Sequence, residues 1–407
     1  MRVPLATWPA LCLLAPQPSR CAEPVAAEPS AKPYFASDQY LEEYGTLYDH
    51  LGMLSDHERM RAYHDAIRLN PSHFKDKVVL DVGTGTGVLA IWAAQAGARR
   101  VFAVEGTTVA FHAETMAKAH GFGGVIEVLR GRMEDVQLPE PVDVIVSEWM
   151  GYFLLRESMI QSVIFARDRW LKPGGVMYPS SGRLLLASLQ DKRFIEEREL
   201  DSQEALRTWD ASAEEMQTKY GLDFTALSKA YREEHHTYTY RQAWQGRVPG
   251  SRVARDEVEL MALDMHTVTK EDLFGWQREV TLESAGSAQG LVGYFDVRFC
   301  GHAEAVADHC IELTTTPHAP PTHWGQSALL LDPLPLSTSF TVGLTSCSRS
   351  QHDLNFTVGY DGRHASYSIS SDFRGYKELD NFDDDGGEEA DAADAGTAAD
   401  DGADYDE

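Results

Sequence analysis

Glu148 and Glu157 close the two ends of the segment Ser147-Glu-Trp-Met-Gly-Tyr-Phe-Leu-Leu-Arg-Glu-Ser-Met159, and most of what lies between them is apolar. A carboxylate is costly to surround with Trp149, Met150, Tyr152, Phe153 and Leu154 unless a cation comes to meet it. A guanidinium answers that need best, because its planar fork of donors matches carboxylate oxygens in pairs. Two glutamates at this separation would ordinarily belong to a solvated surface. The apolar filling argues instead for a pocket that grips an arginine side chain, with Gly151 letting the segment fold back. A guanidinium is a poor nucleophile, since its lone pairs are delocalised and it stays protonated at neutral pH. Two carboxylates can hold one terminal nitrogen toward an electrophile and stabilise positive charge on the rest.

The electrophile has a candidate seat upstream, in Asp81-Val-Gly83-Thr-Gly85-Thr-Gly87. Glycines there allow the backbone to approach a ligand closely, and the helix start that follows favours negative groups. Glu105 ends the next strand-like run, where a carboxylate can accept both hydroxyls of a ribose. A nicotinamide dinucleotide enzyme would satisfy these features equally well. Asp81 separates the readings: it would repel a pyrophosphate but suits a cofactor with an amino group and a sulfonium, such as S-adenosylmethionine.

These residues need elements to hold them. Ser55-Asp-His-Glu58 has the form of a capping box and predicts a helix running to Asn70-Pro71. Strand-like runs at 78–82, 101–105, 125–129 and 142–147 alternate with helical runs at 88–96, 108–120 and 158–171. That order predicts a parallel sheet covered on both faces, an α/β domain. After Pro173-Gly-Gly175 the texture changes to alternation over 176–189. A charged helical stretch follows at about 191–236, then short strands punctuated by Gly, Ser and Pro, which predict an all-β second domain with a helical insertion. The expected division is a flexible leader or targeting segment at 1–30, a first domain at 31–177, a second at 178–376, and a disordered acidic tail at 377–407.

The formal charge of −27 excludes nucleic acid as a direct partner and favours basic proteins or peptides. Residues 378–407 hold fourteen acidic groups and no basic ones beyond them, so without that tail the charge is still −13. Five cysteines, Cys12, Cys21, Cys300, Cys310 and Cys347, show neither metal-site spacing nor a disulfide-rich frame, which fits a reducing compartment. No apolar run reaches membrane-spanning length. The expected location is the cytoplasm, the nucleus or both, with the Pro- and Ala-rich start leaving a targeting peptide open.

With these motifs quoted, the chain from about residue 40 to 375 resembles the protein arginine methyltransferases of type I, and its long helical insertion resembles a plant-type branch. The stretch Val79-Leu-Asp-Val-Gly-Thr-Gly-Thr-Gly87 resembles the family's first motif, Ser147 to Glu157 its double-glutamate loop, and Thr322-His-Trp324 its THW loop. The resemblance implies a Rossmann-like methyltransferase domain using S-adenosyl-L-methionine, then a β-barrel-like domain with a helical dimerisation arm. It implies a homodimer acting on arginine-containing proteins, such as histone tails or Arg/Gly-rich proteins, to give mono- and asymmetric dimethylarginine. Glu148 and Glu157 would grip the substrate arginine, and His323 near Asp56 would take its proton. Tyr44, His50, Met53 and Arg59 match cofactor-contacting lid positions, with Arg59 suited to the methionine carboxylate. Gly83 and Gly85 would pass beneath the cofactor, Glu105 hold the ribose, and Met133 with Glu134 the adenine. Met53 and Met159 resemble the pocket residues of type I members. Leu41 stands where the family's lid motif, matched at Tyr40 and Tyr44, has a phenylalanine. No metal is implied. Two alternatives stay open: a non-catalytic scaffold of the same fold, and a nicotinamide oxidoreductase, which would have no use for the paired glutamates.

Overall fold

The computed structural model describes residues 44–369, apart from 285, 333 and 347–353. The leader, Tyr40, Leu41 and the acidic tail therefore lie outside the described residues. Helices α1 (Leu47–Ser55) and α2 (His57–Arg68) come first, then the single turn α3 (Pro71–Phe74). The capping box is displaced by one residue. Asp56 is the N-cap of α2, accepting from the Arg59 N–H at 3.0 Å, while Ser55 Oγ donates back to the Leu51 carbonyl at 2.7 Å. The extended backbone at Asp56 aims its short carboxylate at the third N–H of the helix, a position Ser55 cannot reach as the last residue of α1.

The α/β domain follows with β1 (Val78–Val82), α4 (Val88–Gln95), β2 (Arg100–Glu105), α5 (Ala110–Ala119), β3 (Ile126–Arg130), β4 (Val142–Val146), α6 (Ile160–Trp170) and β5 (Leu171–Tyr178). The strands lie in the order β3-β2-β1-β4-β5, all parallel. Every residue of β1 is buried, which is why its sequence is a continuous Val/Leu run with one carboxylate. Strand order reverses between β1 and β4, and the crevice beyond the C-terminal ends of such a pair is where open α/β sheets bind ligands.

The second domain opens with β6 (Ser181–Leu189), and the arm follows as α7 (Lys192–Tyr220) and α8 (Ser228–Tyr240). Asp191 caps α7 by accepting from Phe194 N–H at 3.1 Å, and Gly221 ends it in the left-handed conformation. The chain folds back so that Trp209 stacks on Tyr231, ring centroids 4.2 Å apart. The remaining strands are β7 (Trp244–Gly246), β8 (Val258–Asp264), β9 (Gln277–Glu283), β10 (Gly290–His302), β11 (Ala305–Thr314), β12 (Gln326–Leu330), β13 (Ser339–Ser346), β14 (Leu354–Tyr360) and β15 (Arg363–Ile369). They form two antiparallel sheets, β7-β12-β10-β6-β8 with β11 beside β10, and β15-β14-β13-β9, whose inner faces share one core. Cys300 and Cys310 are joined as a disulfide between β10 and β11, a pairing the sequence reading did not single out. Pairing across adjacent strands depends on register, and cysteine spacing does not carry that information. Among the described residues no helix is long and apolar enough to cross a membrane.

The two domains are tied together beneath the crevice. Asn70 donates to the His309 carbonyl at 2.9 Å and accepts from the His309 N–H at 2.7 Å, serving β11 as a strand partner would. Arg167 of α6 donates to the carbonyls of Met265 and Val268 at 2.9 and 2.7 Å.

Candidate active site

A cavity of ≈ 390 Å³ opens beyond the C-terminal ends of β1, β2 and β4. Tyr44, His50, Met53, Arg59, Gly83, Gly85, Glu105, Met133, Glu134, Glu148, Glu157 and His323 all line it. Asp56 stands behind His323, whose ring Nδ1 lies 2.8 Å from its Oδ2; the same oxygen accepts the His323 backbone N–H at 2.8 Å. The sequence-chosen residues, drawn from both domains, thus converge on one cavity.

One end is built by the glycine loop and the acids around it. Gly83 and Thr84 donate their N–H groups to the Val104 carbonyl at 2.9 and 3.0 Å, which folds the loop over β2. Gly83 has a φ of 69°, and a Cβ there would come within 2.4 Å of Met159 Cε, so a side chain would fill the cradle. Glu105 accepts from the N–H of Gly85 at 2.8 Å and of Thr107 at 2.9 Å, one on each oxygen. Each oxygen keeps a lone pair for a ribose hydroxyl. Glu134 Oε1 is buried with no hydrogen-bond partner among the described residues. A buried acceptor without a donor costs free energy, and an amino group on an adenine would meet that need.

Asp81 does not behave as the sequence reading expects. It is fully buried beneath the loop, accepting from Thr84 Oγ1 at 2.6 Å and Ala90 N–H at 3.1 Å, and it does not line the cavity. Burial pushes its carboxyl up to about 7, although the bonds from Thr84 and Ala90 oppose that. Its Oδ2 shapes the loop, while its Oδ1 is buried with no hydrogen-bond partner among the described residues. Glu105 and Glu134, by contrast, line the cavity.

The other end is the double-glutamate loop. Gly151 N–H donates to Leu154 O at 3.0 Å, Arg156 N–H to Tyr152 O at 2.9 Å, and Met159 N–H to Trp149 O at 3.0 Å. These bonds fold the segment so that Glu148 and Glu157 face one cavity. A Cβ on Gly151 would lie 1.6 Å from the Arg156 carbonyl oxygen, so only glycine fits this turn. Trp149 is buried below, and Trp324 Nε1 of the THW loop donates to the Met150 carbonyl at 3.2 Å. Glu148 Oε1 is buried without a partner among the described residues; Oε2 accepts from Arg59 Nε and Nη2 at 3.2 and 3.1 Å. The lid arginine therefore rests on the first glutamate of the clamp, a contact spacing could not reveal. Its Nη1 also donates to the Met53 carbonyl at 3.0 Å.

Electrostatics agree with a cation-seeking site. Burial, then Glu157, Tyr152 and Glu148, raise the Tyr44 phenol; burial and then Glu157 raise Tyr152. Both hydroxyls stay protonated donors at neutral pH. For Asp56, burial opposes ionisation, but the bonds from His323 and from the Arg59 and His323 N–H groups outweigh it, so its carboxyl lies below the ordinary range. Sequence reading passed over Tyr63, whose hydroxyl donates to Ser147 O at 2.9 Å under the loop, and Arg156, the buried neighbour of Glu157. The latter had a readable signal, a cation inside an apolar run.

Comparison with known proteins bears on the same residues. Profiles described as "Methyltransferase domain" and "Arginine methyltransferase oligomerization subdomain" match residues 79–175 and 192–365. The chain is 43% identical over 330 residues to Protein arginine N-methyltransferase PRMT10 of Oryza sativa subsp. japonica, covering 78% of this chain and 86% of that one. It is 36% identical to Protein arginine N-methyltransferase 1 of Saccharomyces cerevisiae, covering 78% and 88%. Among solved structures it is similar to Arabidopsis thaliana protein arginine methyltransferase 10, with a TM-score of 0.78, 37% identity, and 81% of this chain and 100% of that chain covered. The Trypanosoma brucei PRMT1 enzyme–prozyme complex with AdoHcy gives a TM-score of 0.67 at 31% identity, covering 80% and 99%. A Rossmann-like sheet ending in a glycine cradle, an antiparallel domain bearing an arm, and this degree of identity place the chain in the protein arginine methyltransferase family.

Proposed function

We infer that the protein transfers methyl groups from S-adenosyl-L-methionine to guanidinium nitrogens of arginine in proteins, giving mono- and asymmetric dimethylarginine. The observation that carries this reading is the shared cavity, which Glu148 and Glu157 line together with Glu105 and Glu134. The cofactor supplies a sulfonium methyl when bound. Gly83 and Gly85 would pass beneath it, Glu105 and Glu134 would take its ribose and adenine, and Arg59 would take its carboxylate, with Tyr44, His50, Met53 and Met133 lining the same cavity. Glu148 and Glu157 hold the substrate guanidinium and localise its charge away from the attacking nitrogen. His323, oriented by Asp56 at 2.8 Å, receives the proton that the nitrogen gives up on methylation. The chain acts as a homodimer through the arm, with the domains divided near residue 177, and its substrates are basic, arginine-rich proteins.

Mass spectrometry of an Arg/Gly-rich peptide incubated with the enzyme and S-adenosylmethionine should show mono- and asymmetric dimethylarginine. Glu148→Gln and Glu157→Gln should each lose at least roughly two orders of magnitude in rate, as removal of a charge-stabilising group does. Unmethylated peptide, or either variant acting at the wild-type rate, would refute the reading.

A further inference from the structure

The clamp carries two resident cations. Arg156 is completely buried, and its Nη2 donates to Glu157 Oε1. It does not line the cavity, so it cannot occupy the place of a substrate arginine. Arg59 makes the matching contact on Glu148 Oε2. Two carboxylates and two guanidiniums sum to zero, so the clamp is neutral before a substrate arrives. A buried pair of bare glutamates would be driven toward protonation by desolvation and by each other.

The loop also commits Glu157 to an uncommon backbone. Its φ of 57° lies in the left-handed region, which a non-glycine residue adopts only at a cost. The turn preceding it is locked by the Arg156 N–H on the Tyr152 carbonyl, and the Arg156 guanidinium lies 5.6 Å from the Tyr152 ring centroid. One residue thus ties the turn through its backbone and the carboxylate through its side chain.

We propose that Arg156 is a positioning residue for Glu157, holding one carboxylate oxygen so that the substrate guanidinium meets a carboxylate already oriented. The proposal rests on the arginine methyltransferase reading of the cavity. Among the groups facing Glu157 are Tyr44 from the turn before α1, and Tyr152 and Arg156 from the loop itself.

The test compares the full-length wild type with R156M, R156K, E157Q and R156M/E157Q, using an arginine-containing peptide. In R156M, kcat should fall roughly 10- to 100-fold, the order that misplacing a reacting group costs. Cofactor affinity by calorimetry should not change, and R156K should recover part of the rate. The acid limb of the R156M rate profile should move to higher pH, because a buried carboxylate stripped of its cation protonates more readily. In the E157Q background the Arg156 change should cost no further rate. Wild-type kcat in R156M, an additive loss in the double variant, or parallel loss of cofactor affinity with an unmoved pH profile would each overturn the role. Should R156M not fold, a lower kcat with intact cofactor affinity in R156K upholds the proposal, and an unchanged kcat overturns it. If the wild type forms no methylarginine, the functional reading itself fails. The role of Arg156 is then read from peptide affinity with S-adenosylhomocysteine present: R156M should weaken the arginine peptide relative to a lysine-substituted one, and equal weakening overturns it.

Discussion

At the scale of single residues, carboxylates decide what the cavity accepts, and their surroundings differ sharply. Glu105 accepts from two backbone N–H groups and Glu148 from one arginine on one oxygen, while Asp81 accepts from Thr84 and Ala90 on Oδ2 and, among the described residues, has no partner on its buried Oδ1. The last is the unusual one. Its carboxyl titrates near 3.8 in an unfolded chain but at about 7 when buried. Between those values the folded chain keeps a proton that the unfolded chain has released. Its contribution to stability is therefore largest at and below pH 3.8 and declines as pH rises to about 7. Asp81→Asn keeps an acceptor for Thr84 and Ala90 but cannot ionise. Denaturant unfolding followed over that pH range should give a flatter curve for the variant, and an unaltered slope would remove Asp81 as the source.

At the scale of elements, the double-glutamate loop depends on one turn whose tolerances are backbone against backbone. A Cβ at position 151 would also meet the Arg156 carbonyl carbon at 2.7 Å and Ser158 N at 3.0 Å, none of which can swing aside. Gly151→Ala should leave cofactor affinity intact, since Gly83 and Glu105 are untouched. It should lower methyl transfer by roughly two orders of magnitude, as displacement of reacting groups by about 1 Å does. Loss of both together would mean that the loop supports the cofactor as well. What was legible in the sequence follows the same physics. β1 could be read directly because a strand buried on both faces is a continuous apolar run, and Glu148 and Glu157 stood out as charges amid aromatic residues. β5 was not legible: Pro173-Gly-Gly175 looks like a boundary, yet β5 runs through it. An edge strand tolerates proline and glycine, and the irregular register between Val142 and Val144 absorbs the departure. That Asp81 lies buried under its loop was not legible, because residue spacing does not state which face a side chain takes. The contact of Arg59 with Glu148 spans 89 residues, a separation at which only the folded chain brings partners together.

At the scale of the whole molecule, the arm and the lid both present apolar side chains to the outside. The arm exposes Leu200, Tyr220, Leu222 and Leu227, and α1 exposes Leu47, Tyr48 and Leu51 while burying only His50. A helix held by so few buried contacts opens easily on its own, yet it supplies His50 and Met53 to the cavity wall. Removing residues 195–232 should leave a monomer by sedimentation, with cofactor affinity weakened in the same sample. A truncated chain that sediments as a dimer would take the arm out of assembly.

The contact of His323 with Asp56 has a consequence for anyone who recombines these domains. The histidine is delivered by the antiparallel half and the aspartate by the helices that precede the α/β half, so the seam of the chain runs through this contact. A chimera cut between Tyr178 and Ser181 would inherit both glutamates intact and still be inert, unless its new second half brought a Thr-His-Trp loop in the same register against Asp56 and Met150. The interchangeable module here is the pair, because the two halves share one buried core as well as the His323–Asp56 contact.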